Sequence, residues 1–251
     1  MKILLCNELK DPRFKTLTST VYSLKNTVVG EVIDEISIKD IVDFGADIII
    51  TNSPNSKTFS EKTKSVVVSI DDEKFSFDDP ECENFIKPFV ELNQENKQEN
   101  EKYVCDVSFM GDPSVFGPVC IKLINNENIL FKFFNNNPMP YLGFCGYCAP
   151  ENYSKLYNMS KSHLLLNDKD TYRLYDVIYH NGNPVLQNDK NSEEFYEDIL
   201  YSLNNESKDL KITKKEIISN HTNYDRMASI FNTIGLKKFG KNLKKNKPLR
   251  K

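Results

Sequence analysis

Residues 46–52 are Ala-Asp-Ile-Ile-Ile-Thr-Asn, a run of consecutive isoleucines closed by two small polar side chains. β-branched residues favour strands, and an unbroken apolar run indicates a strand covered on both faces, as in a parallel sheet. The preceding residues 38–44 have apolar side chains at helical spacing and end at Gly45, a residue type that commonly closes a helix. A helix that leads directly into a buried strand predicts a parallel α/β sheet.

Runs of the same kind lie on both sides of this one. Strands are predicted at 2–6, 27–29 and 65–70, ahead of a stretch at 91–102 that is nearly free of apolar side chains and indicates a solvated linker. Beyond the linker, the predicted strands are 104–111, 129–134, 163–167 and 184–186, and the predicted helices are 154–160, 171–180 and 193–204. This alternation predicts a second α/β lobe.

The fold class is therefore α/β, with two Rossmann-like lobes whose parallel sheets are expected to face a cleft. The N-terminal lobe is predicted to span 1–100 and the C-terminal lobe 103–222. A closing helix at 223–236 and a basic tail at 237–251 follow.

Composition gives little guidance about partners. The 251 residues include 33 Lys and Arg against 36 Asp and Glu, so the formal charge is only −3. Residues 1–6 are too short an apolar stretch for a targeting signal, and no run approaches the length of a membrane span. Mostly scattered cysteines suit thiols in a reducing compartment. We expect a cytoplasmic protein. Abundant Asn, Lys and Ile with no Trp indicate an AT-rich bacterial or viral genome, and a viral protein of this kind would act in the host cytoplasm.

Four motifs follow one another in the second half of the chain, each on a predicted element. They are Asp-Val-Ser-Phe-Met-Gly at 106–111, Gly-Tyr-Cys-Ala-Pro-Glu-Asn-Tyr-Ser-Lys-Leu-Tyr at 146–157 with Leu-Leu-Asn at 165–167, Thr-Tyr-Arg-Leu-Tyr-Asp at 171–176 with Gly182 and a strand after it, and His-Thr-Asn-Tyr-Asp-Arg at 221–226. In this order they resemble the C-terminal domain of the spore-maturation-protein-type glycosyltransferases, a bacterial and viral family with the GT-B fold. The resemblance covers about half the chain, from Asp106 to about Phe231.

The resemblance implies a GT-B-like enzyme that transfers a sugar from a nucleoside-diphosphate sugar, with no separate cofactor and no metal. The donor lobe would be the C-terminal one, and the acceptor would meet the shorter, reduced N-terminal lobe. Donor-binding residues are then expected among Gly111, Tyr147, Asn167, Asp168, Thr171, Arg173, Asp176 and Gly182.

The chemistry of these residue types agrees with that expectation. A helix that begins at Thr171 directs its positive end, together with the guanidinium of Arg173, toward a site where a diphosphate could bind. Asp176, almost one turn further along, could accept hydrogen bonds from ribose hydroxyls. Gly111 would let backbone approach a ligand, and Tyr147 could stack on a base or pack in the core. An ordinary surface Arg–Asp pair at helical spacing is the alternative for Arg173 and Asp176.

Two departures from the family pattern keep a second function open. The acidic residue of the donor helix is Asp176 instead of Glu, and residues 179–182 are Tyr-His-Asn-Gly where the family has Ala-Cys-Gly-Gly. Both departures favour a catalytically inert relative that binds a nucleotide, a sugar or a protein partner without turnover.

An inverting transferase also needs a base for the acceptor hydroxyl. Glu8, Asp11 and Asp72 are carboxylates that follow strands of the first lobe, and Asp11 is our candidate. A solvated loop charge is the alternative role for Asp11.

A Cys-x-x-Cys pattern at Cys145 and Cys148 raises a third hypothesis, a thiol–disulfide redox protein. Redox lobes carry this motif after an early strand, whereas here it lies in the middle of the chain. A zinc site would need a second close pair of Cys or His, which the sequence does not offer nearby.

The tail at 237–251 carries eight positive charges and no negative one. It could contact a phosphate backbone, in which case the acceptor would be modified DNA, as for viral enzymes that glycosylate hydroxymethylated bases. A terminus that only increases solubility is the alternative.

Overall fold

The computed structural model describes residues 1–32, 37–70, 75–76, 86, 101–166, 171–206, 210 and 212–248. The chain divides into two compact units. Unit 1 comprises Met1–Leu92 together with Asn220–Lys251, and unit 2 comprises Asn93–Ser219. Each unit is built on a four-stranded parallel sheet.

In unit 1, strands and helices alternate. The elements are β1 (Lys2–Cys6), α1 (Pro12–Thr18), β2 (Val28–Val32), α2 (Ile38–Phe44), β3 (Ile48–Thr51), α3 (Ser56–Lys62) and β4 (Val66–Ser69), with a 3₁₀ helix at Ser19–Ser23. The order across the sheet is β2-β1-β3-β4. Helix α2 ends at Gly45, whose φ of 62° is the left-handed conformation expected of a glycine that closes a helix. All four residues of β3 are buried, as the isoleucine run predicts.

Unit 2 repeats this arrangement. Its elements are β5 (Cys105–Met110), α4 (Pro118–Asn125), β6 (Phe131–Phe134), α5 (Tyr153–Met159), β7 (Ser160–Leu165), α6 (Thr171–Tyr179), β8 (Pro184–Leu186), α7 (Ser192–Ser202) and α8 (Lys214–Asn220), with 3₁₀ helices at Pro113–Phe116 and Pro150–Asn152. The order is β6-β5-β7-β8, so in both sheets the second strand lies beside the first on one side and the third on the other. The predicted α/β class with two parallel sheets is therefore confirmed.

Two further helices belong to unit 1, α9 (Asn223–Thr233) and α10 (Lys237–Asn246). The side-chain amide of Asn223 donates to the carbonyl oxygen of Thr16, which ties α9 to α1 at 3.4 Å. A β-carbon on Gly240 would lie 2.8 Å from the carbonyl oxygen of Ala228, so glycine allows α10 to approach α9 closely. The first ten residues of the predicted tail are thus helical and packed.

Buried side chains pack against the sheet of unit 2 in two clusters, one of which contains Phe109 and the other Met110. Phe109 of β5 meets Phe116 edge to face, with ring centroids 4.7 Å apart, and Phe116 meets Phe195 of α7 at 5.4 Å. This aromatic packing fixes the end of β5 in position. In the described residues, no helix is long and apolar enough to cross a membrane.

Candidate functional site

A pocket of about 220 Å³ opens at the carboxyl ends of β5 and β6. Ligands of open α/β sheets bind at this edge, because loops and helix N-termini converge there. The lining comes from two strand ends, a loop and two helices, all in unit 2: Met110, Gly111, Phe134, Asn135, Asn136, Tyr147, Cys148, Tyr153 and Arg173. Three of the residues predicted from sequence, Gly111, Tyr147 and Arg173, therefore lie together.

Gly111 directly follows β5 and lines this pocket. Its φ of +140° is a conformation that side chains disfavour, and a β-carbon would lie 2.9 Å from the ring of Phe109. Its N–H donates to the carbonyl oxygen of Phe134 at 2.8 Å, so it is used within the sheet. Gly111 thus allows the close packing of Phe109, and its amide pairs with β6.

Arg173 comes from the first turn of α6 and reaches back over the end of β5. Its Nη1 donates to the carbonyl oxygen of Met110 at 3.2 Å, which orients the planar guanidinium. A guanidinium has five N–H donors in a fixed fork and stays charged at every physiological pH. Arg173 therefore brings a permanent, oriented positive charge to the pocket lining.

His163 of β7 lies near Arg173 and is fully buried. Its Nδ1 is 2.7 Å from the hydroxyl of Ser108, and Tyr157 packs against its ring edge to face at 4.9 Å. Burial, and then the charge of Arg173, lowers the pKa of His163 to about 3. The imidazole is therefore neutral, and its aromatic neighbours exclude water from it.

Two tyrosines, Tyr147 and Tyr153, line the pocket. Tyr147 is 52% exposed, which leaves its ring accessible to a ligand. Burial raises the pKa of Tyr153, so its phenol remains protonated and can donate a hydrogen bond. Tyr153 and the half-buried Asn135 were not predicted from the sequence. Three consecutive asparagines directly after a buried strand were the available signal.

The Cys-x-x-Cys pair does not have the properties of a redox centre. Both cysteines are free thiols. Burial raises the pKa of Cys145 and raises that of Cys148 to about 11. A redox pair needs a pKa low enough to give a thiolate near neutral pH, whereas burial raises the pKa of both of these thiols.

Asp176 and Gly182, which were also predicted to bind the donor, are not among the residues that line the pocket. Asp176 is half-buried. Burial raises the pKa of Tyr157, and the negative charge of Asp176 is the next largest cause of that rise. Thr171 begins α6. Asn167 and Asp168 lie outside the described residues.

Gly182 serves the end of α6. Its N–H donates to the carbonyl oxygen of Val177 at 2.8 Å, while that of Asn181, with a left-handed φ of 60°, donates to Ile178. These two bonds form a Schellman motif, a common way to close a helix. A β-carbon on Gly182 would lie 2.8 Å from Cγ1 of Val177, so packing explains the glycine.

In unit 1, Asp11 caps α1. Its carboxylate accepts from the backbone N–H of Arg13 at 2.7 Å and from the guanidinium of the same residue at 2.8 Å. Both contacts are structural. The catalytic role of Asp11 stays a prediction.

At the carboxyl ends of β1 and β3, polar side chains bind one another. Asn52 donates from Nδ2 to Oδ1 of Asn7 at 2.7 Å, and its Oδ1 accepts from the N–H of Leu9 at 3.3 Å. The hydroxyl of Ser53 donates to the carboxylate of Glu8. Asn7, Asn52 and Ser53 are buried, so this edge is filled by its own side chains.

Within the described ranges, no group of three or more His, Cys, Asp or Glu side chains could hold a metal ion. The charged group of the pocket lining is instead a cation, Arg173, which suits an anionic ligand such as a phosphate.

No protein-family model and no curated protein matches the chain. Among solved structures, the chain is similar to one described as the glycotransferase of kitacinnamycin. The TM-score is 0.45 and the sequence identity 8%, over 98% of this chain and 98% of that chain.

Proposed function

We propose that the chain is a glycosyltransferase that binds the diphosphate of a nucleoside-diphosphate sugar in the pocket at the ends of β5 and β6. One observation carries the proposal: Arg173, held by the carbonyl oxygen of Met110, brings its guanidinium to the ligand edge of a parallel sheet. The four motifs that resemble the spore-maturation-protein-type family also support the proposal. Arg173 is the arginine of the third motif, at 171–176.

The proposed reaction needs little from the protein beyond orientation and charge. The acceptor hydroxyl oxygen attacks the anomeric carbon, the bond from that carbon to the diphosphate breaks, and the hydroxyl proton passes to a base, for which Asp11 is the candidate. Negative charge grows on the leaving diphosphate, where the guanidinium of Arg173 and the backbone N–H groups opening α6 would stabilise it. In this scheme the donor is itself a substrate, and no metal is required.

The size of the pocket limits how much of the donor it holds. At about 220 Å³ it is smaller than a typical site for a whole drug-sized ligand, roughly 300–1,000 Å³. It suits the diphosphate and the adjoining part of the nucleoside. The exposed ring of Tyr147 is then available to the base, while Tyr153 can donate to a phosphate oxygen or a ribose hydroxyl.

Titration calorimetry with nucleoside diphosphates, monophosphates and free nucleosides tests the binding step. Diphosphates should bind most tightly, and Arg173→Ala should weaken them by about 10- to 100-fold, the usual value of one or two charge-assisted hydrogen bonds. Arg13→Ala is the matched control, because that guanidinium pairs with Asp11 in unit 1. Equal affinities in wild type and Arg173→Ala would refute the site.

A catalytically inert nucleotide-binding protein is the second candidate. It is favoured by Asp176, which replaces the family glutamate and lies outside the pocket lining, and by residues 179–182, which serve to close α6. Following the release of nucleoside diphosphate from nucleoside-diphosphate sugars separates the two candidates. Release that depends on Arg173 supports the transferase, whereas tight binding without release supports the inert protein.

A further inference from the structure

Helix α10 carries five lysines on one of its faces. At 100° per residue they fall within an arc of about 120°. This lysine face consists of Lys237, Lys238, Lys241, Lys244 and Lys245, and all five residues are exposed.

The opposite face fixes the helix to unit 1. Leu243 is fully buried, and the missing side chain of Gly240 lets α10 approach Ala228 closely. The ring of Phe239 lies 6.2 Å from that of Phe231 in α9, and Asn246 donates from its amide to the carbonyl oxygen of Ser23 at 2.8 Å. The lysine face is thus presented on a packed support, which reduces the entropy lost when the lysines bind a partner.

The charge of the lysine face is not neutralised within the described structure. In the residues that the structure covers, none of the five lysine side chains forms a hydrogen bond or ion pair. Lys247, just beyond the helix, differs: it pairs with Asp225 at 2.7 Å, with side chains only 9% and 11% exposed. No acidic residue occurs between 237 and 251, although the whole chain has a formal charge of −3.

We propose that the lysine face is a docking surface for the phosphate backbone of double-stranded nucleic acid. From Lys237 to Lys245 the helix advances about 12 Å, a length over which duplex DNA carries roughly seven phosphate charges. Lysine supplies mobile point charges suited to phosphates, and phosphate contacts carry no sequence information. Binding is therefore independent of sequence.

The anionic surface of a lipid membrane is a second polyanion that a lysine face could bind. Helices that lie in a membrane insert an apolar face below the headgroups. The apolar face of α10 is already occupied, since Leu243 and Gly240 are buried within unit 1. The lysine face can offer charge alone, and this favours the nucleic acid.

The test measures fluorescence anisotropy of a labelled duplex of random sequence, at salt concentrations from roughly 50 to 200 mM. If all five lysines engage phosphates, the logarithm of the association constant should fall against the logarithm of salt with a slope near −4.5, about −0.9 per lysine. Replacing the five lysines by glutamine should remove most of that slope and lower affinity at low salt at least tenfold. Glutamine and lysine have similar helix propensities, so α10 should persist, which circular dichroism checks.

The matched control replaces Lys39, Lys57, Lys62, Lys64 and Lys215 by glutamine. These lysines are exposed outside α10, and the change in net charge is the same. The control should keep wild-type affinity, and so should Arg173→Ala, since the inference does not rest on the donor pocket. Equal losses in both five-lysine variants would overturn the proposal. So would absence of duplex binding by the wild type, or tighter binding to phosphatidylserine vesicles than to the duplex.

Discussion

The two sheets have the same strand order but end differently at their carboxyl edges. In unit 1, Asn52 bonds to Asn7 and to the backbone of Leu9, so the edge between β1 and β3 is closed by side chains of the chain itself. In unit 2, Gly111 directly follows β5, and Arg173 lines an open pocket beside it. Among the described residues, the two sheets therefore share a strand order but differ in the side chains at their central strand ends.

The largest expected difference between the units is their response to acid. The pKa of His163 in unit 2 is about 3 in the folded chain, against about 6.5 when unfolded. Between these values the unfolded chain binds the additional proton. The unfolding equilibrium constant should therefore rise by about tenfold per pH unit as the pH falls below 6.5, and level off below about 3. The amides of Asn7 and Asn52 in unit 1 do not titrate.

Urea unfolding at several pH values between 4 and 7 measures this effect. His163→Gln should flatten the dependence. Ser108→Ala removes the same buried hydrogen bond but keeps the imidazole, so it should lower stability and keep the slope. A wild-type profile as flat as that of His163→Gln would show that the buried imidazole does not govern the acid response.

A smaller effect is expected at the closed edge. Asn52→Ala leaves the buried side-chain oxygen of Asn7 and the N–H of Leu9 without their partner, which should lower the free energy of unfolding by about 1–3 kcal/mol. Nucleotide affinity should not change. Urea unfolding and titration calorimetry measure the two quantities, with Asn242→Ala, an exposed asparagine of unit 1 outside the pocket lining, as the control. Weakened nucleotide binding at unchanged stability would instead place a ligand at the edge of unit 1.

The smallest effect is expected at the rim of the open edge. Tyr147→Ala should lower the affinity for nucleoside diphosphates by about two- to tenfold, the usual contribution of one stacking contact. Tyr147→Phe keeps the ring and should bind them like wild type. Inorganic pyrophosphate provides the control ligand, because it has no base to stack. If the alanine variant binds pyrophosphate more weakly as well, Tyr147 acts on the phosphates or on the shape of the pocket.

Much of the fold follows from local sequence. The isoleucine run predicts β3 because these side chains favour a buried strand. Gly45 predicts the end of α2 because glycine readily adopts the left-handed conformation found there. Helices α3, α4, α8 and α10 were not predicted. In α10 the reason is plain: few apolar side chains are buried, and the contact depends on Gly240 and on a partner helix, α9, that local sequence does not identify.

Part of the pocket lining was named from the sequence, while the binding roles of those residues stay predictions. An arginine early in a helix that follows a parallel strand indicates an anion site, and Arg173 lines the pocket. A glycine is less informative, because it indicates a close approach or an unusual backbone conformation but not whether the neighbour is a ligand or the protein itself. Gly111 borders the pocket, whereas Gly182 packs against Val177. Tyr153 lines the pocket through the placement of α5, which only the three-dimensional structure shows.

The return of α9 and α10 to unit 1 has a consequence for synthesis on the ribosome. Unit 1 gains its Lys247–Asp225 ion pair and the packing of α10 on α9 only after every residue of unit 2 has been translated. Unit 2, although it comes second, has its whole sheet and core available earlier. Domains generally fold as they emerge, so the inserted unit is able to reach its native state first, while the unit that begins the chain waits for its last helices.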